Sequence, residues 1–177
     1  MGKNILILSG SPRKGGNSDI LCDEFARGAE EAGHQVRKLY VHDLRLGGCQ
    51  ACYACRGTGV CVQKDGMAEV LEDMIAADVI VLATPVYFYS MDGQLKTLID
   101  RTLPRYTEIQ DKEFYFIATA AAGKGMMERT MDALRGFTDC LSGAKVRGMI
   151  CGSGVYQKGE VRETGALREA YSAGKNA

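Results

Sequence analysis

The sequence predicts a doubly wound α/β domain, one sheet of five parallel strands with helices on both faces, with residues 1–177 forming a single unit. Three observations predict it. Strand-like apolar runs alternate with amphipathic helical stretches five times along the chain. Four of the five strand runs are nearly continuous in apolar residues, the pattern of strands buried on both faces. A length of 177 residues is enough for one domain with a real core and short of two.

The elements follow in order. "KNILILS", residues 3–9, is a short apolar run ended by Gly10 and Pro12, and reads as a buried strand. Residues 17–33 set Ile20, Leu21, Phe25, Ala26 and Ala29 at helical spacing and close on Gly33. "QVRKLY", 35–40, alternates like a strand, and a loop rich in glycine and cysteine follows it. Residues 67–77 repeat the helical stripe with Met67, Val70, Leu71, Met74 and Ile75. "DVIVLATP", 78–85, is another continuous apolar strand, and 92–103 form a helix through Leu95, Leu98, Ile99 and Leu103. "EFYFIATA", 113–120, is a strand, 126–142 are helical, and "KVRGMICG", 145–152, is the last strand. Residues 161–173 make the final helix, and the tail "GKNA" is expected to fray.

Charge narrows the partners. Lysine plus arginine number 22, as do aspartate plus glutamate, so no basic excess favours nucleic acid and no acidic tail is present. The amino-terminal apolar run is too short for a membrane span or a signal-peptide core, and Leu6 stands where a myristoylation signal needs Ser or Thr. A cytoplasmic protein without a membrane partner is expected, and thiols stay reduced there. A cysteine cluster then points to metal or redox chemistry before disulfides.

In an open α/β sheet, ligands bind beyond the carboxyl ends of the strands. After the first strand comes "SGSPRKGGNS", residues 9–18, which enters a helix. Exposed amides at a helix start make such a turn an anion site. Ser9, Ser11, Asn17 and Ser18 bring side-chain donors, and Arg13 can pair with a phosphate. Gly16 stands where a Walker A loop has lysine, and Pro12 occupies the second glycine position of G-x-G-x-x-G. The turn suits one phosphate group. "TPVYFYSMDG", 84–93, holds consecutive Tyr87, Phe88 and Tyr89, which cannot all face the core, so an aromatic lines a crevice fit for a flat ring. "TAAAGKG", 119–125, is small enough for close backbone approach. Together these loops suit a phosphorylated flat aromatic molecule, with FMN the candidate. No triad or other catalytic side chain is singled out.

Cys49, Cys52, Cys55 and Cys61 are spaced C-x2-C-x2-C-x5-C in a glycine-rich loop. Zinc sites usually pair two C-x2-C knuckles across a longer stretch, whereas these thiols crowd like the compact ferredoxin run. Val62 replaces the proline of that run. An iron–sulfur cluster, zinc, free thiols and a redox disulfide all remain open on spacing alone. Cys22, Cys140 and Cys151 lie on helix or strand patterns and read as small buried hydrophobes.

"ILSGSPRKGGNS", "TPVYFYSMDGQLKTLIDR" and the cysteine loop together resemble the NAD(P)H-dependent FMN reductase branch of the flavodoxin-like family, and the cysteine spacing resembles its iron–sulfur flavoproteins. The resemblance implies that Ser9, Ser11, Pro12, Arg13, Asn17 and Ser18 hold the FMN phosphate, and that Pro85, Val86, Tyr87 and Phe88 hold the isoalloxazine. It implies that Cys49, Cys52, Cys55 and Cys61 bind one [4Fe–4S] cluster. It further implies an FMN-dependent oxidoreductase using NAD(P)H or a reduced carrier as electron donor, with a small-molecule or protein redox partner, assembled as a homodimer or homotetramer. Lys96, Asp100 and Arg101 match the family's "LK…DR" helix, where the residues themselves read as an exposed ion pair at i,i+4. The rival reading is a flavodoxin-type electron carrier without its own substrate. Such carriers tend to be strongly acidic, and this chain is neutral.

Overall fold

A computed structural model describes residues 2–177. Its sheet comprises β1 (Asn4–Ser9), β2 (Gln35–Tyr40), β3 (Val79–Pro85), β4 (Glu113–Ala120) and β5 (Lys145–Ser153). The strands lie in the order β2-β1-β3-β4-β5 and every pairing is parallel. The helices are α1 (Asn17–Glu31), α2 (Met67–Ala76), α3 (Gly93–Asp100), α4 (Glu128–Thr138) and α5 (Ala166–Lys175). Strand order reverses between β1 and β3, which opens a crevice beyond their carboxyl ends.

Alternation along the strands creates two cores. Ile5, Ile7, Val79, Val81, Tyr115 and Ile117 face α1 and α5. Leu6, Leu8, Ile80, Leu82, Phe114 and Phe116 face α2, α3 and α4. Full burial of the central strands explains their continuous apolar runs, because both neighbours of each residue also meet a helix. No helix among the described residues is long and apolar enough to cross a membrane.

Several sequence expectations need correction. The tail does not fray: α5 runs to Lys175, and Gly174 packs so tightly on α1 that a Cβ there would sit 2.0 Å from the Phe25 carbonyl oxygen. Residues 161–163 belong to a separate 3₁₀ turn, Glu160–Glu163. β5 is an edge strand whose first three residues are exposed, so its residue pattern is less apolar than that of β3 or β4. Cys22 is buried, and desolvation pushes its thiol far above the usual range. Cys140 is exposed because α4 stops at Thr138, and Cys151 is half-buried on the edge strand.

Candidate functional site

The carboxyl ends of β1, β3, β4 and β5 surround a cleft of about 210 Å³. One wall is the loop between β1 and α1, through Ser11, Arg13, Gly16, Asn17 and Ser18. The loop leaves β1 at Gly10, whose amide donates to the Ala83 carbonyl at 2.8 Å. A Cβ at Gly10 would lie 2.2 Å from an Asp92 carboxylate oxygen, so only glycine lets the chain pass there. The backbone then turns through Arg13–Gly16, with Gly15 in the left-handed region at φ 69°. Asp19 steadies this turn from inside, accepting the Gly15 amide at 2.6 Å. Lys38 at 2.8 Å balances its buried charge. Burial works against the Lys38 ammonium, but its bonds to Asp19, Asp23 and Tyr40 outweigh that and raise its pKa.

α1 begins after Gly16 without a side-chain cap, which leaves the amides of its first turn without a side-chain acceptor. Arg13 and Lys158 bring two cations to the cleft, and no residue lining it is acidic. Cations, helix dipole and free amides all favour an anion at this end.

Asn17 does a different job from the one read in the sequence. Its amide nitrogen donates to the Gln157 carbonyl at 2.9 Å, and its oxygen accepts from the Gly159 amide at 2.9 Å and the Val161 amide at 3.3 Å. It thereby clamps the loop after β5 to the start of α1. That loop adds Val155, Tyr156 and Lys158 to the cleft, none of them picked out by the sequence reading. The signal was present: "SGVYQKGE" follows the last strand on the same sheet edge as the other loops. Ser9 is buried at the end of β1 with its hydroxyl unpartnered, Pro12 is exposed, and neither lines the cleft.

The opposite wall is Pro85, Val86 and Tyr87. The Val86 amide donates to the Thr119 carbonyl at 2.8 Å, which brings the small residues Thr119, Ala120 and Ala121 against the cleft. Tyr87 and Ser90 exchange two backbone hydrogen bonds of 3.0 Å. The turn they close puts Phe88 at φ 49° and Tyr89 at φ 64°, a left-handed pair built without glycine and therefore strained. Phe88 is fully exposed at the tip and stands outside the cleft lining. Beneath the loop, Asp92 caps α3 by accepting the Leu95 amide at 2.9 Å, and its other oxygen lies 2.8 Å from the Thr84 hydroxyl. Burial raises the Asp92 carboxyl above the ordinary carboxylate range.

The cysteine loop forms a second pocket. Cys49, Cys52, Cys55 and Cys61 all line one narrow pocket against Arg101, Leu103 and Pro104. Ala51 and Tyr53 take φ of 50° and 56°, and Gly57 and Gly59 are also left-handed, which coils the loop around that pocket. Among the described residues, no three cysteine, histidine or acidic side chains close on a single ion. A tetrahedral zinc site draws its sulfurs to about 2.3 Å from one centre, whereas a cluster spaces its thiolates around a wider body. Four thiols on one pocket form a soft donor set, suited to a thiolate-bound metal centre. This pocket shares no lining residue with the cleft at the strand ends.

Lys96 and Asp100 pair at 2.6 Å on the surface of α3, as their spacing predicts. Arg101 departs from that reading. The helix ends one residue earlier, and the Arg101 side chain turns inward to 1% exposure beneath the cysteine loop. Burial works against its charge, but Asp65 at 2.8 Å outweighs that and raises its pKa. Desolvation likewise opposes the Asp65 charge, but Arg101 and the amides of Met67 and Gly47 hold its carboxyl below the usual range.

Comparison with known proteins shows the family of the chain. A sequence profile of the NADPH-dependent FMN reductase family matches residues 3–154. An iron–sulfur flavoprotein of Methanosarcina thermophila is 32% identical over 72% of this chain and 68% of its own length. One of Methanocaldococcus jannaschii is 33% identical over 75% of this chain and 70% of its own. One of Archaeoglobus fulgidus is 38% identical, over 55% of this chain and only 44% of that protein. Among solved structures, the NAD(P)H:quinone oxidoreductase from Methanothermobacter marburgensis aligns over 99% of this chain and 96% of its own at TM-score 0.72 and 18% identity. An FMN-dependent NADH-azoreductase of Bacillus anthracis, solved with FMN, aligns over 98% of each chain at TM-score 0.76 and 16% identity. At these identities the structural matches establish the shared flavodoxin-like fold.

Proposed function

Because the chain belongs to the NADPH-dependent FMN reductase family, we propose that it is an FMN-dependent oxidoreductase that takes electrons from NAD(P)H and passes them to a small-molecule or protein acceptor. The observation that carries this reading is the cleft at the β1/β3 crossover, whose lining has two cations, uncapped helix amides and no acid beside an aromatic loop. Its charged end fits a phosphate, and its Tyr87 end fits a flat ring. Ser11, Arg13 and Ser18 would hold the phosphate with the first amides of α1, and Lys158 would join them. Pro85, Val86 and Tyr87 would flank the ring. Ser9, Pro12 and Phe88 would act from outside the lining, Ser9 and Pro12 by shaping the loop. FMN held there would supply the hydride- and electron-transfer chemistry. The protein's part is to bind the phosphate and orient the ring.

Cys49, Cys52, Cys55 and Cys61 would hold a [4Fe–4S] cluster, supported by their common pocket and by the names of the relatives. The exposed aromatics Tyr87, Phe88 and Tyr156 near the cleft support assembly into a homodimer or homotetramer that covers them. The test of function is anaerobic addition of NADPH or NADH to the flavin-loaded protein. Bleaching of the flavin absorbance within the turnover time is the expected result. A flavin that stays oxidised with both nucleotides would overturn NAD(P)H as the donor.

A further inference from the structure

Arg101 is among the largest fully buried side chains of the protein, and its contacts are concentrated at the two roots of the cysteine loop. Nη1 donates to the Gly47 carbonyl at 2.7 Å, two residues before Cys49, and to Gln63 Oε1 at 3.2 Å, two residues after Cys61. Nη1 and Nη2 also grip the Asp65 carboxylate at 2.8 and 3.0 Å in a two-pronged pair. Asp65 returns to the same roots, accepting the Gly47 amide at 3.3 Å and the Met67 amide at 3.2 Å. The entry and exit of the loop are thus tied through one guanidinium. Its Nε is buried and has no partner. Buried N–H groups without an acceptor are rare and ask what they serve. Arg101 and Cys61 line the same pocket, the one that all four thiols share.

We propose that Arg101 is a positioning residue of the cysteine site: it holds the loop's two ends together and sets its positive charge on the pocket that the four thiols share, which raises the reduction potential of a thiolate-ligated iron–sulfur cluster. The proposal rests on the cluster reading above. A cluster gains one negative charge when it takes an electron, so a fixed cation on the pocket wall stabilises the reduced form. Asp65 opposes the cation and sets how much of its field reaches the pocket.

The test is a redox titration of the anaerobically reconstituted protein and of three variants, with FMN content as the check on folding. Arg101→Gln removes the charge and is expected to shift the cluster's one-electron equilibrium about tenfold toward the oxidised form, about 59 mV lower. Asp65→Asn unmasks the cation and shifts it the other way. Arg101→Lys, which keeps the charge, recovers part of the loss. Opposite shifts from the two sides of one ion pair are what a charge effect produces and a merely structural role does not. Unchanged potentials, or shifts of the same sign, would overturn the assignment. In the iron-free protein, amide exchange across 47–63 is expected to quicken at least tenfold in Arg101→Gln, and unchanged exchange there would overturn the positioning role. Failure of the unsubstituted protein to take up iron would refute the cluster reading and the potential-setting role with it; the exchange result would still decide whether Arg101 positions the loop.

Discussion

Asn17 commits its whole side chain to the protein, holding the Gln157–Val161 stretch at the mouth of the cleft. Its effect on a bound phosphate is therefore indirect, through Lys158, which that stretch carries. Replacing it by alanine removes three hydrogen bonds at the joint between two loops. Asn17→Ala is expected to weaken FMN by roughly 1–2 kcal/mol, about the net worth of one or two such bonds. Amide exchange at Gly159 and Val161 should rise in the same variant. Weaker FMN binding with unchanged exchange would mean that Asn17 touches the cofactor directly. The sequence could identify Asn17 as a polar residue at a helix start. It could not show that its partners lie 140 residues away, because such pairing depends on how α1 and the β5 loop pack.

Helices and strands were legible to within a few residues wherever the apolar period was strong. What was missed lies where tertiary contact overrides local pattern. Arg101 follows a helix as one more charged residue in "LIDR", and only the folded chain shows a buried acceptor set waiting beneath the cysteine loop. Gly174 looks like a breaker in the tail, yet its missing side chain is what lets α5 lie on α1. At the amino ends of the strands, Glu113 of β4 ties Lys3 before β1 at 2.7 Å to Arg147 of β5 at 2.6 Å. The Lys3 hydrogen bond, with Arg147 added, outweighs burial and holds the Glu113 carboxyl below its ordinary 4.5. A depressed acid stabilises the fold above its unfolded pKa and loses that contribution as pH falls through the folded value. Glu113→Gln is expected to lower stability by about 1 kcal/mol at neutral pH, a modest figure because the pairs are partly solvated. The difference from the unsubstituted protein should shrink below about pH 4.5 and vanish in acid. A gap that persists unchanged in acid would locate the cost in packing and not in charge.

Across the whole molecule, the two sites have separate linings. The cleft is built on the loops that enter α1 and follow β3, β4 and β5, while the cysteine pocket rests on the loop before α2 and the end of α3. With no lining residue shared, loss of one site should leave the other nearly intact. Serine at any one of Cys49, Cys52, Cys55 or Cys61 is expected to reduce iron content sharply, and double substitutions to add little, because one missing ligand already breaks the site. FMN content should stay within experimental scatter in all of them. Parallel loss of FMN would show that the two sites are coupled through the core.

The central claim is that an acid-free, doubly cationic cleft binds a flavin by its phosphate. The most direct measurement is the affinity of FMN and of riboflavin, which lacks the phosphate, for the flavin-free protein and for its Arg13→Ala variant. FMN should bind the unsubstituted protein far more tightly than riboflavin does. Arg13→Ala should cost FMN about 1–3 kcal/mol, the scale of a charge-assisted hydrogen bond, and leave riboflavin almost unchanged. Equal affinities for the two flavins, or an equal loss for both in the variant, would contradict the account.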